Sequence, residues 1–172
     1  EGTKEMLKEI FEGGTFSSKS FRATWLPGGS GYLVLENTPG EDNNSLVRYE
    51  VASGERAVLI SPSKLASSGE RGSHKIESYV VSSDGSKILI QASGEELEGN
   101  TRSYWMLDTN TGSMQKVKAG ANNTIAPDGQ RILYAEEGNL YVYDLSDEVK
   151  TQITTAAVPG IVHYGRAVWS PD

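Results

Sequence analysis

Few side chains in this 172-residue chain could do chemistry. Cysteine is absent, which excludes disulfides, thiolate metal sites and cysteine nucleophiles. Histidine occurs only at His74 and His163, too few for a histidine-rich metal centre. A Ser-His-Asp triad would have to use one of these two, and no surrounding motif supports either. His74 follows the polar run 68–73 and is expected to be a solvated loop histidine, whereas His163 is expected in a loop or lining a channel. No Gly-x-Ser-x-Gly elbow is present; Gly28-Gly29-Ser30-Gly31 comes near it but reads as a turn. Asp108-Thr-Asn-Thr-Gly112 opens like a calcium loop, but Ala119 stands where the bidentate Glu belongs, and a hairpin turn explains it better. Paired carboxylates in Glu95-Glu96-Leu97-Glu98 or Glu136-Glu137 could hold a cationic amine, although solvated loops account for them more simply. Asn43-Asn44-Ser45 and Asn122-Asn123-Thr124 have the form of glycosylation sequons. These residues assign no catalytic group, cofactor site or metal ligand.

The elements that must position any site are short strands. A net charge of −7 argues against a nucleic-acid surface, which needs an excess of Lys and Arg. No apolar run approaches the ~20 residues of a membrane-spanning helix. Residues 3–11 form the one convincing helical stretch, with Thr3 as N-cap, Met6, Leu7, Ile10 and Phe11 on one face, and Gly13-Gly14 as the stop. Thereafter the period is two. Pro27-Gly28-Gly29, Ser83-Asp84-Gly85 and Pro127-Asp128-Gly129 each precede an apolar run, and Trp169-Ser170-Pro171-Asp172 begins the same phrase again. Asp84, Asp128 and Asp172 are evenly spaced, since 128 − 84 = 172 − 128 = 44. Third strands are expected at 46–50, 103–108 and 140–144, and fourth strands at 56–60, 114–117 and 151–154. Asp-Gly and Thr-Gly dipeptides between them supply the positive-φ positions that tight hairpins need.

A period of about 40–50 residues with four strands marks a β-propeller blade. One four-stranded sheet cannot bury both its faces, but sheets packed around an axis bury each other. The fold class expected is therefore all-β: a partial propeller of about three four-stranded blades plus the first strand of a fourth, with a short N-terminal helix. The units expected are a helix and linker at 1–14, blades at 15–62, 63–118 and 119–156, and the start of a fourth at 157–172. Propellers close with roughly 4–8 blades. Three units cannot close alone, so the chain is expected to be part of a longer protein. Its open faces and edges are expected to drive self-association or strand exchange when it is isolated.

Taken in order, several phrases carry a resemblance. They are Met6-Leu-Lys-Glu-Ile-Phe11 with Gly14-Thr-Phe16, Thr24-Trp-Leu-Pro-Gly-Gly-Ser-Gly-Tyr32, Leu46-Val-Arg-Tyr-Glu50, Asn100-Thr-Arg-Ser-Tyr-Trp-Met-Leu-Asp108 and Asn139-Leu-Tyr-Val-Tyr-Asp-Leu145. The chain resembles the N-terminal β-propeller of the dipeptidyl peptidase IV branch of the prolyl oligopeptidase clan, in a bacterial style. The resemblance implies a serine exopeptidase that removes dipeptides from free N-termini. It places the catalytic triad on a C-terminal α/β-hydrolase domain that this chain lacks, so the chain alone is expected to be inert. The propeller would gate access and position the peptide, with no cofactor and no nucleic acid involved. The setting implied is periplasmic, secreted or membrane-anchored on the cell exterior. An acidic pair for the substrate ammonium would follow a Trp-Val-Tyr phrase, but here Gly165-Arg-Ala-Val-Trp169 runs into Ser170-Pro171-Asp172. An arginine contacting the peptide would fall near Glu98, and Arg102 is the candidate substrate contact. The alternative from another class is a TolB-like propeller interaction module with no peptidase activity.

Overall fold

The computed structural model describes residues 22–41, 43–67, 74–95, 100–158 and 164–170. The expected helix at 3–11 and His163 lie outside the described residues.

Twelve strands make three antiparallel four-stranded sheets, each running through its strands in chain order. The first holds β1 (Ala23–Trp25), β2 (Gly31–Asn37), β3 (Asn44–Glu50) and β4 (Arg56–Ile60). The second holds β5 (His74–Val81), β6 (Lys87–Glu95), β7 (Asn100–Asp108) and β8 (Met114–Val117). The third holds β9 (Ala121–Ile125), β10 (Arg131–Glu136), β11 (Asn139–Asp144) and β12 (Lys150–Gln152). These are the three four-stranded units that the repeat predicts.

The turns are locally encoded. Asp84 Oδ1 accepts the Ser86 amide at 3.0 Å, and Asp128 Oδ1 accepts the Gln130 amide at 2.9 Å. Asp108 and Asp144 do the same two residues on, to Asn110 and Ser146, each at 2.9 Å. An Asp side chain that ties its own loop in this way makes the reversal independent of distant packing. Gly85 and Gly129 take the left-handed conformation that these turns require, with φ of 76° and 69°.

The second sheet shows why the sheets stack. Ile88, Ile90 and Ala92 on β6, with Trp105 and Leu107 on β7, pack against Leu33, Leu46 and Ile60 of the first sheet. Leu89, Tyr104 and Met106, on the opposite face, pack with Ile125, Ile132, Tyr134 and Tyr143 of the third. Period-two alternation sends successive residues of one strand into two different cores. The turns between first and second strands also touch in series. A Cβ on Gly85 would lie 3.2 Å from Pro27, one on Gly129 would lie 3.5 Å from Lys87, and Ser83 Oγ reaches the Pro127 carbonyl at 3.5 Å.

Residues 164–170 carry no strand ladder but follow the third sheet. Tyr164 N donates to Gly138 O at 2.8 Å, Trp169 Nε1 donates to Thr124 O at 3.4 Å, and the Arg131 guanidinium lies 5.3 Å from the Trp169 ring. Trp169 thus reaches β9, the strand that opens the third sheet.

Two features differ from expectation. A helix, α1 (Pro62–Ser67), joins the first two sheets. Ser61 Oγ accepts the Lys64 amide at 3.2 Å, Pro62 fits the first turn, and Leu65 is fully buried. His74 is no solvated loop residue. It opens β5 opposite Gly94, is only 3 % exposed, and its carbonyl accepts Asn43 Nδ2 at 3.2 Å. It shares a face with buried Ile76, because it is the first residue of the strand rather than the last of the loop.

Candidate functional site

The sheets have two chemically distinct ends. At one end the turn between first and second strands meets the turn between third and fourth. Thr109 N donates to Ser86 O in the second sheet, Leu145 N to Gln130 O in the third and Val51 N to Ser30 O in the first, each at 2.9 Å. The four turn aspartates gather here, and all are occupied. Asp84 also accepts Ser82 Oγ at 2.6 Å, and these hydrogen bonds lower its pKa to about 2. Asp108 accepts Lys87 Nζ at 2.6 Å as well as the Thr111 amide, which holds its carboxyl far below the usual range. The Asp108–Gly112 segment is therefore the β7–β8 hairpin turn rather than a calcium loop. Among the described residues no group of His, Cys, Asp or Glu could hold a metal ion.

At the other end, where the sheets are joined, a cavity of about 330 Å³ opens between the second and third sheets. Buried Tyr104, Val117 and Tyr134 line it together with Arg102, Lys116, Lys118 and Lys150. Arg102 pairs across the ladder with Ser93 and lies on the Tyr104 face of β7, the face turned to the third sheet. It is exposed and lines this basic cavity. Lys150 Nζ donates to Glu136 Oε2 at 2.5 Å and sits 4.0 Å from the Tyr141 ring centroid. The Glu136 hydrogen bond, chiefly, raises its pKa. Tyr134 stacks on Tyr141 at 5.8 Å between centroids, and burial raises its phenol pKa.

Sequence reasoning names Arg102 as a substrate contact and does not name the three lysines that line the cavity with it. They come from β8, the linker and β12, and only stacking of two sheets brings them together. Of the acidic candidates, Glu136 is paired with Lys150 and Glu137 occupies a hairpin turn at φ 48°, while 96–98 lie outside the described residues. Asn43 and Asn122 are both engaged, by the His74 and Gly165 carbonyls respectively.

Four-stranded sheets stacked face to face, with their first turns in series, define a β-propeller architecture. The chain belongs to the family of the dipeptidyl peptidase IV N-terminal region, whose model matches residues 82–170. Among solved structures, Porphyromonas gingivalis dipeptidyl peptidase 4 superposes with a TM-score of 0.59 at 23 % identity, covering 87 % of this chain and 21 % of that one. TolB from Acinetobacter baumannii gives 0.54 at 20 % identity, over 83 % and 34 %. A prolyl endopeptidase gives 0.55 at 14 %, over 76 % and 21 %. At these identities the likeness is one of fold. The chain spans about a fifth of the length of the two peptidases. No curated protein sequence matches it.

Proposed function

We propose that this chain forms blades of the N-terminal propeller of a serine exopeptidase of the dipeptidyl peptidase IV kind. In this reading the Ser, Asp and His of catalysis lie on an α/β-hydrolase domain elsewhere in the protein, and the propeller gates and positions peptide N-termini. The observation that carries it is the family match over residues 82–170, which spans most of the second sheet and all of the third. Arg102, exposed at the cavity between those sheets, is the candidate contact to the peptide. Peptide termini favour this kind of confined, charge-assisted anchoring, because holding one end orients the scissile bond. The setting proposed is the periplasm or cell exterior.

The test is hydrolysis of Gly-Pro and Ala-Pro chromogenic dipeptides. The protein expressed from its full gene is expected to cleave them and to be labelled by a serine-directed fluorophosphonate. The 172-residue chain alone is expected to do neither. A full-length protein that is inert and unlabelled overturns the proposal. It would favour the second reading, a TolB-like interaction module, which the similar superposition on TolB supports.

The isolated chain is also proposed to self-associate. The face of the first sheet turned from the second buries Val34 and Val47 but leaves Trp25 63 % and Val58 41 % exposed, with Trp25 edge-on to Tyr32, which stacks on Tyr49. In a ring another blade would cover this face, and in isolation a second copy does.

A further inference from the structure

The cavity between the second and third sheets concentrates positive charge in an acidic protein. Among the described residues Arg102, Lys116, Lys118 and Lys150 line it with one carboxylate, that of Glu136, which Lys150 already holds. Among the described lining residues basic side chains outnumber carboxylates four to one, in a chain whose net charge is −7. Among the described residues Lys118 makes no ion pair, and Arg102 makes none either, although its charge is felt by the Glu77 carboxylate beyond Ser93. Cations gathered around a low-dielectric floor raise each other's energy, and an anion entering between them relieves it. The floor is apolar and aromatic: Val117, Tyr104 and Tyr134 are 7 %, 8 % and 1 % exposed. A volume of about 330 Å³ stands at the lower end of small-ligand pockets, enough for one or two residues of a peptide.

We propose that this cavity binds the carboxylate of an acidic side chain carried by a peptide. The planar fork of Arg102 suits the two oxygens of a carboxylate, and Lys118 adds a point charge from the linker that joins the sheets. The tyrosine and valine floor receives the aliphatic stem. The proposal rests on the peptidase reading only in naming a peptide as the bearer of the carboxylate. Its ground is the cavity itself.

The experiment is calorimetric titration of the 172-residue chain with acetyl-Ala-Glu-Ala-amide, its Gln isostere, and glutarate as a free dicarboxylate. The Glu peptide is expected to bind at least about tenfold more tightly than the Gln peptide, the scale of one charge-assisted contact. Its binding should weaken as salt rises from about 0.02 to 0.5 M, because the rim charges are screened. Arg102→Gln and Lys118→Gln should each weaken it about three- to tenfold, while Lys118→Arg retains it. Glu136→Gln should tighten it, since it removes the carboxylate that holds Lys150 in the lining. Equal binding of the Glu and Gln peptides, or no binding at 10-millimolar order, overturns the proposal. So does indifference to both Arg102→Gln and Lys118→Gln. Binding of glutarate without the Glu peptide overturns the peptide as bearer and leaves a small dicarboxylate site. No arm reads peptidase activity, so failure here and failure of the proposed function are separate results.

Discussion

Replacing Leu89 by Ala should loosen the third sheet and spare the first, whereas Ile88→Ala should do the reverse. The two side chains are neighbours on β6, and both are essentially fully buried. Ile88 packs with Leu33, Leu46 and Ile60, while Leu89 packs with Ile125, Ile132 and Tyr134. Each substitution deletes about three buried carbon groups, which at about 0.8 kcal/mol apiece gives about 2.4 kcal/mol of lost transfer energy. A residual cavity adds up to about 2 kcal/mol, depending on how far the neighbours relax. Each variant should therefore lose about 2.5–4 kcal/mol. Such a loss is a large share of the stability of an ordinary domain, about 5–15 kcal/mol.

Stacked sheets that touch only their neighbours distribute such losses by interface. Urea unfolding followed by tryptophan fluorescence measures the size of the loss, since Trp105 is 3 % exposed inside the first interface and reports its opening. Native-state hydrogen exchange measures the distribution. Leu89→Ala should speed exchange of amides in β10 and β11 and leave β2 and β3 near their original rates. Ile88→Ala should do the opposite. Equal acceleration of both sheets by either variant, or a loss below about 1 kcal/mol, would refute two separate cores sharing one strand.

Three further outcomes follow from individual contacts. The carboxyl pKa values of Asp84 and Asp108 are both lowered in the fold, so their hydrogen bonds contribute stability that is complete above the unfolded carboxylate pKa and lost as pH falls through the folded values. The urea midpoint should thus decline between about pH 4 and 2, and Asp84→Asn should flatten that decline. Gly120→Ala should destabilise by about 1–3 kcal/mol in the same assay, because the added Cβ would stand 2.5 Å from the Ala135 carbonyl and 2.8 Å from the Tyr134 ring. Gly165→Ala, with nothing within 4 Å, should change little. Trp25→Lys should turn a self-associating chain into a sharp monomer in sedimentation at tens-of-micromolar order, and an unchanged distribution would remove the first sheet's open face as the cause.

What the sequence discloses here tracks how local the encoding is. The turns at Asp84, Asp108 and Asp128 are tied by their own side chains, so their phrases are legible without the fold. The strands Arg56–Ile60 and Met114–Val117 lie where their turns place them. Helix α1 went unread: Ser61-Pro62 is a helix-start signal, but six residues of helix are lost in the strand period around them. His74 was misread for a similar reason. A polar run precedes it, yet buried His74 and Ile76 alternate with exposed Lys75 and Glu77, the pattern of a strand with one face covered. The basic cavity has no local signature. Lys118 and Lys150 are 32 positions apart and meet only because β8 and β12 close neighbouring sheets.

The acidity of the chain is therefore a poor guide to what it binds. Its turn aspartates accept hydrogen bonds from Ser82, Lys87, Arg131 and Ser146. Such carboxylates are structural: their lowered pKa values measure how fully they are satisfied, and a satisfied carboxylate attracts little from solution. At the opposite end, Arg102 and Lys118 have no such turn to serve. If the proposed site holds, one end keeps the strands in register and the other takes the ligand. On that division, neutralising Asp128 should change stability and leave peptide binding alone, while neutralising Lys118 should do the reverse. Urea unfolding and the acidic-peptide titration, run on the same two variants, decide whether the ends are separate in function as they are in chemistry.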